Sequence, residues 1–384
     1  MIDYKYELDL LKKSNLYRQV RDYEPVSPVK GVFDGKQVIN FSANDYLGFS
    51  HHPLVKVAAK EALERYGFGG TSSRLLSGNS SGYCELEDEL ARLKETESAL
   101  VFSSGYMTNI GVLNSISSKN DIILADRLSH ASLIDGSLLS RAKFLRYRHL
   151  DVDHLEKELK ESSGFKRRII VTDSVFSMDG DIAPLKELSS IAHKYDAILV
   201  VDDAHGTGVL GKDGTGSNSI FDGCNIDYQI GTLSKALGSM GGFVAGKKEA
   251  LELITNKAKT LIYTTALPPS AIAAACASVK LLRDEPFWQK RLGDKVTYMR
   301  RKLVSSGFAV SSDPTPIIPI VLNDPETTQK VSRALLDNGF LAPAIRPPSV
   351  PRGTSRIRIT ISAHHTHEQL DDFVKSLSNS VNDA

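Results

Sequence analysis

The chain has 384 residues with 47 basic and 46 acidic side chains, a formal net charge of +1, and that balance offers no electrostatic footprint for nucleic acid or an anionic membrane surface. A hydrophobic content of 41% and a charged content of 24% suit a folded protein with one large domain and a smaller companion. Cys84, Cys224 and Cys276 are too scattered for a disulfide framework or a CxxC zinc site, and no apolar run reaches the roughly 18 residues of a membrane span. With no signal-peptide core in MIDYKYELDLLKK, a reducing, cytoplasmic setting is expected.

The first 45 or so residues predict a helix and a short hairpin, GVFDGKQVINF. From about residue 97, short β-rich runs alternate with helical stretches. IILAD (122–126), KFLRYRH (143–149), RRIIVTD (167–173), AILVVDD (197–203) and YQIGTL (228–233) read as strands. DGSLLSRA, LEKELKE and PLKELSSIAHKYD (184–196) read as helices, the last with Leu185, Leu188, Ile191 and Ala192 on one face. Continuous apolar strands separated by helices predict an α/β fold with a mostly parallel sheet buried on both faces. The last third changes to α+β character: IIPIVL (317–322), a helix in TTQKVSRALLDNG, then FLAPAI, SRIRITIS and a helix in HEQLDDFVKSLSNSV. A boundary at PPS, before an alanine-rich helix, predicts an N-terminal segment 1–45 packing on the small domain, a large domain 46–275 and a small domain 276–384.

Ligands of such sheets collect at the carboxyl ends of the strands, and five polar clusters fall there. SSGYMTN (103–109) follows ALVF and opens a helix, as a phosphate site or a plain N-cap. DRLSHASL (126–133) carries His130, which alone reads equally as a structural histidine, and TDSVFSMDGD (172–181) carries Asp173, Ser174, Ser177 and Asp179 in what is easily just a loop. VVDDAHGTG (200–208) sets two acids at the end of an apolar strand, with His205 three residues beyond Asp202. A carboxylate buried there requires a cationic partner; capping or exposure is the alternative. GTLSKALGSMGG (231–242) places Lys235 among small residues. The Walker pattern is absent, because no glycine stands immediately before the lysine. What remains is an ordinary turn lysine or an amine with room beside it for a planar ligand. HHTH (364–367) is not expected to hold a metal, and KRR (166–168) and RYRH (146–149) read as solvated edges.

Together the clusters supply an amine for a Schiff base, an acid for a pyridinium nitrogen and an imidazole for stacking. Hydroxyls are available for a phenolic oxygen, and a helix N-terminus with a threonine for a phosphate. That is the parts list of a pyridoxal 5′-phosphate (PLP) site.

SHASL, VFSMDGD, VDDAHGTG, TLSKALG and IRPPSVPRGTSRIRIT stand in the order found in the α-oxoamine synthases, which the chain resembles from about residue 18 to 378. The resemblance implies PLP fold type I: a mostly parallel seven-stranded sheet sandwiched by helices, plus a smaller C-terminal α+β domain. It implies a homodimer with the active site at the subunit interface, and decarboxylative condensation of an amino acid with an acyl thioester. By the same resemblance Lys235 joins the cofactor and moves the substrate α-proton, Asp202 pairs with the ring nitrogen, and His130 stacks on the ring. His205 and Ser177 contact the ring oxygen. Thr232, with the backbone of Gly105 and Tyr106, holds the phosphate, and Thr264 or Thr265 reaches it from a second subunit. Arg346 takes the amino-acid carboxylate, Asn44 and Ser349 lie in substrate motifs, and Arg21 contacts the acyl substrate. FSANDYLGFSHHP and AIRPPSVP resemble the biotin-pathway branch, which implies L-alanine and a pimeloyl thioester as substrates. Ser349 stands where that branch usually has threonine, and GGTSSRLLSGNSSGY departs from the commoner GSGGSR. Sister synthases using glycine or serine, and a PLP-binding regulator without catalysis, are the alternatives.

Overall fold

The computed structural model describes residues 2–14, 16–220 and 223–384. The chain divides into two compact units, one of residues 1–46, 178–180 and 291–384, the other of 47–177 and 181–290.

The N-terminal part of the smaller unit contains α1 (Tyr4–Lys13), β1 (Tyr23–Pro25), β2 (Lys30–Phe33) and β3 (Lys36–Asn40). The predicted hairpin is β2–β3, turned by Asp34 and Gly35, both at positive φ.

The larger unit opens with α2 (Pro53–Tyr66) and α3 (Ser81–Leu93). There follow β4 (Ser98–Phe102), α4 (Gly105–Ile116), β5 (Ile122–Asp126), α5 (Ala131–Leu139), β6 (Lys143–Tyr147) and α6 (Val152–Glu161). The unit continues with β7 (Arg168–Asp173), α7 (Leu185–Lys194), β8 (Ala197–Asp202), β9 (Tyr228–Thr232) and β10 (Gly242–Gly246), then α8 (Lys248–Lys257), α9 (Lys259–Ile262) and α10 (Pro269–Asp284). The seven strands order as β4-β10-β9-β8-β7-β5-β6. All neighbours are parallel except the two pairs made by β10, which is antiparallel to β4 and β9.

The continuous apolar strands are buried on both faces, as the sequence predicts. Ile123, Ala125, Ile169, Val171 and Val200 face a core with Val112, Leu113, Leu133 and Ile254. Ile122, Leu124, Ile170, Leu199 and Val201 face a second core with Leu155, Leu159, Leu185 and Leu188. Helices therefore cover both sides, which a parallel sheet requires.

The parallel register fixes where polar residues emerge. Asp173 is paired in register with Asp202, and Asp202 with Ile230, so the strand ends Asp126, Asp173, Asp202 and Thr232 lie along one edge. Polar strand ends at one edge are the ordinary location of an α/β site.

The C-terminal part contains α11 (Phe287–Ser305), β11 (Ile317–Asn323), α12 (Pro325–Asp337), β12 (Phe340–Leu341), β13 (Ala344–Ile345), β14 (Ser355–Thr360) and α13 (His367–Asn382). In the smaller unit one sheet orders β1-β2-β3-β12 and another β11-β14-β13. FLAPAI holds two strands: β12 runs parallel to β3 and β13 antiparallel to β14. Pro343 stands between them, where it has no N–H for a ladder.

The boundary differs from the expected residue 275. The alanine-rich α10 packs on α2 and α3 and belongs to the larger unit, which extends to Lys290. Ala274, Ala275, Cys276 and Ser278 are buried on it, and such small side chains let helices pack closely.

Candidate functional site

Asp202 ends β8 with its side chain almost wholly buried, at 6% exposure. Its Oδ2 accepts from Asn109 Nδ2 at 2.6 Å and its Oδ1 from the Ala204 N–H at 3.0 Å. Asn109 is the last residue of the SSGYMTN cluster, so the first turns of α4 hold the carboxylate in place. Beside it, burial and the neighbouring Asp202 charge raise the Asp173 carboxyl well above its ordinary range. Asp173 accepts the backbone N–H of His130 at 2.9 Å, which ties the loop after β5 to the end of β7.

His130 caps α5, with Nδ1 2.7 Å from Ser132 Oγ. The residue stays accessible to solvent, yet the surrounding protein desolvates the ring enough to lower its pKa. Asp202 opposes that effect, Lys235 adds to it and Asp135 opposes it. These charges therefore lie within electrostatic reach of the imidazole. Tyr106 meets His130 edge-on at 6.2 Å and donates its hydroxyl to Asp135.

Lys235, half-buried, places Nζ 3.0 Å from Nε2 of the buried His205. Three residues before the lysine, at the end of β9, stands the buried Thr232. Its Oγ1 lies 2.8 Å from Ser234 Oγ and donates to Gly241 O at 2.9 Å.

A Cβ on Gly105 would lie 3.5 Å from Thr232 Cβ, so the start of α4 abuts this threonine. A Cβ on Gly242 would collide with the Gly105 backbone nitrogen, so glycine is required for the close approach of β10 to that helix N-terminus. The first N–H groups of α4 have no acceptor within the helix, which suits an anion. Thr264 and Thr265 line a crevice with Arg74, Tyr83 and Ser103, and Thr265 forms a bridge with Ser73. Ser177 is half-buried just after Phe176.

In the smaller unit, burial lowers the Arg346 pKa, and Arg18 acts in the same direction. Arg18 Nη2 is 3.3 Å from Ser349 Oγ. Arg21 is engaged elsewhere, with Nε 2.5 Å from Asp34 Oδ2 and its guanidinium 4.4 Å from the Phe33 ring centre. Arg18 is thus the basic residue beside Ser349 and Arg346, and nothing in its sequence context distinguishes it from Arg21. Asn44 Oδ1 accepts from Arg358 Nη2 and from the Tyr46 hydroxyl, each at 3.2 Å. Asp179 pairs with Arg356 at 2.5 Å.

Two further groups escaped the sequence reading. His149, expected on a solvated edge, is half-buried between Asp126 and Asp181. Lys94, wholly buried, pairs with Asp203 at 2.8 Å. Both lie far in sequence from their partners, and only the folded sheet brings them together. Among the described residues no group of His, Cys, Asp and Glu is arranged to hold a metal, and no helix is long and apolar enough to cross a membrane.

The family model of aminotransferase class I and II matches residues 36–377. The chain belongs to this family. An 8-amino-7-oxononanoate synthase of Geobacter sulfurreducens is 44% identical over 376 residues, covering 97% of this chain and 96% of the relative. A serine palmitoyltransferase from S. paucimobilis with bound PLP-myriocin aldimine superposes with a TM-score of 0.94 at 32% identity, covering 99% of this chain and 96% of that one. An 8-amino-7-oxononanoate synthase from Francisella tularensis gives 0.78 at 31% identity, covering 90% and 98%. The α/β larger unit of this aminotransferase-family chain, with its seven-stranded sheet, agrees with that likeness.

Proposed function

We propose that the chain is a PLP-dependent acyltransferase of biotin biosynthesis. It condenses L-alanine with a pimeloyl thioester, giving 8-amino-7-oxononanoate, carbon dioxide and free thiol. The observation that carries the reading is the meeting of Lys235 with His205, beside Asp202 and Thr232, at the ends of neighbouring strands. Curated relatives at 44% identity over nearly the whole chain bear that synthase name.

The residues fit the cofactor. A buried carboxylate, a lysine amine, an accessible imidazole and a glycine-lined helix N-terminus supply the donor set that a phosphorylated pyridine aldehyde needs. When bound, PLP supplies an electron sink for the negative charge that develops at the substrate α-carbon. Lys235 Nζ would hold it covalently, and the same amine, once free, would take and return the substrate α-proton. Asp202 would offer its carboxylate to the ring nitrogen, His130 its imidazole for stacking, and His205 and Ser177 their polar atoms to the ring oxygen. Thr232 and the N–H groups of Gly105 and Tyr106 would hold the phosphate. Arg346 is assigned the alanine carboxylate, with Asn44 and Ser349 among the substrate contacts and Arg18 a better candidate than Arg21 for the acyl carboxylate.

A homodimer is part of the proposal. Phe68, Leu76 and Tyr263 of the larger unit are exposed, and a second copy would cover such apolar side chains and bring Thr264 or Thr265 toward the partner's phosphate. Borohydride reduction of the PLP-loaded protein, followed by peptide mass mapping, tests the anchor. A pyridoxyl mass on the Lys235 peptide is expected; a protein with no adduct, or one modified only elsewhere, overturns the assignment.

A further inference from the structure

His149 follows β6 at the edge of the large sheet, and its ring reaches across to two carboxylates. Nδ1 lies 2.9 Å from Asp126 Oδ1 and Nε2 2.8 Å from Asp181 Oδ2. A neutral imidazole has one N–H, so donating to both carboxylates requires the doubly protonated ring. The ring also meets Phe176 edge-on, with centroids 4.5 Å apart at 90°.

Each carboxylate belongs to a different segment of the strand-end edge. Asp126 ends β5 and also accepts from Leu128 N at 2.8 Å and Leu150 N at 2.9 Å, starting the loop that runs to His130. Asp181 is tied to the segment after β7: Phe176 N donates to Asp181 O at 3.1 Å, and Val175 bridges Ile182. Ser177 directly follows Phe176. The imidazolium therefore links the segment that ends in one cofactor contact to the segment that presents another.

We propose that His149 is a positioning residue that, by bridging Asp126 and Asp181, sets the placement of His130 relative to Ser177 and hence how the cofactor ring is held. This rests on the PLP reading above. Its replacement by glutamine, H149Q, keeps a donor for one carboxylate and loses the second bond and the charge. A second variant, D181N, weakens one arm while leaving His149 in place.

The test compares full-length wild type, H149Q and D181N. The readouts are the dissociation constant for PLP, the visible absorption and circular dichroism of bound PLP, and the melting of the cofactor-free protein. H149Q is expected to weaken PLP binding by about tenfold, in line with the loss of a charge-assisted hydrogen bond, and to alter the visible dichroism. D181N is expected to change both in the same direction by a smaller factor. Unchanged PLP affinity and dichroism in a folded H149Q overturn the inference, even if melting falls; should H149Q not fold, unchanged values in D181N do so. A wild type that shows no PLP band removes the cofactor reading itself, so the two failures are distinct.

Discussion

Replacement of Lys94 by methionine perturbs a charge pair with essentially no access to water. Lys94 is 0% exposed and the Asp203 side chain 4%. The ammonium donates to Asp203 Oδ2 at 2.8 Å, Thr215 O at 2.5 Å and Thr207 Oγ1 at 3.3 Å. Asp203 also accepts from Ser174 Oγ at 2.6 Å, Thr207 Oγ1 at 3.0 Å and Ser217 N at 3.2 Å. Removing one partner of a buried pair costs about 3–5 kcal/mol, because a charge is left uncompensated. Three neutral donors remain on Asp203, so the lower end, about 3 kcal/mol, is expected. Trp288, the single tryptophan, packs edge-on against Phe49 and His52 in the larger unit, so its fluorescence during urea unfolding follows that unit. The double variant K94M/D203N leaves no unpaired charge and should recover at least about 1 kcal/mol relative to K94M. A K94M protein within about 1 kcal/mol of wild type, or a double variant less stable than K94M, refutes the reasoning.

Further outcomes follow from the site and from the smaller unit. D202N keeps the shape of the side chain but not its charge, and kcat should fall by about 10²–10³-fold with little change in melting of the cofactor-free protein; steady-state kinetics checks it. R346A should raise KM for alanine by roughly tenfold or more, through loss of a charge-assisted contact, while PLP affinity stays unchanged; titration of each ligand separates the two. His365 is buried against Phe41, with ring centroids 4.3 Å apart, and burial pushes its pKa from 6.5 to about 3. Its folded pKa lies below the unfolded one, so its contribution is intact above about pH 6.5 and falls by up to about 1.4 kcal/mol per pH unit as the pH drops toward 3. Urea unfolding at pH 7 and 5 should show that slope in wild type and its loss in H365F.

The sequence carried the parallel part of the sheet well, because period and length of an apolar run are local properties. IILAD coincides with β5, and the read strands at 143, 167, 197 and 228 each overlap their counterparts. The antiparallel β10 was not legible, since Gly242–Gly246 is glycine-rich and its role depends on pairing with both β4 and β9. The domain boundary was misplaced because PPS marks a helix start, which says nothing of what the helix packs on. Asp202, His205, Lys235 and Thr232 were legible as candidates because each lies at or just beyond the end of an apolar strand. Lys94 and His149 were not: a lysine at a helix end and a histidine after a charged strand look solvated until their distant carboxylates are in place.

The most direct test of the proposed activity is mass-spectrometric identification of the product formed by the PLP-loaded protein from L-alanine, glycine or L-serine with a panel of acyl thioesters. L-Alanine with pimeloyl-CoA or a pimeloyl carrier protein should give 8-amino-7-oxononanoate, with carbon dioxide and thiol released in equal amounts. Turnover with glycine or serine and none with alanine would contradict the account.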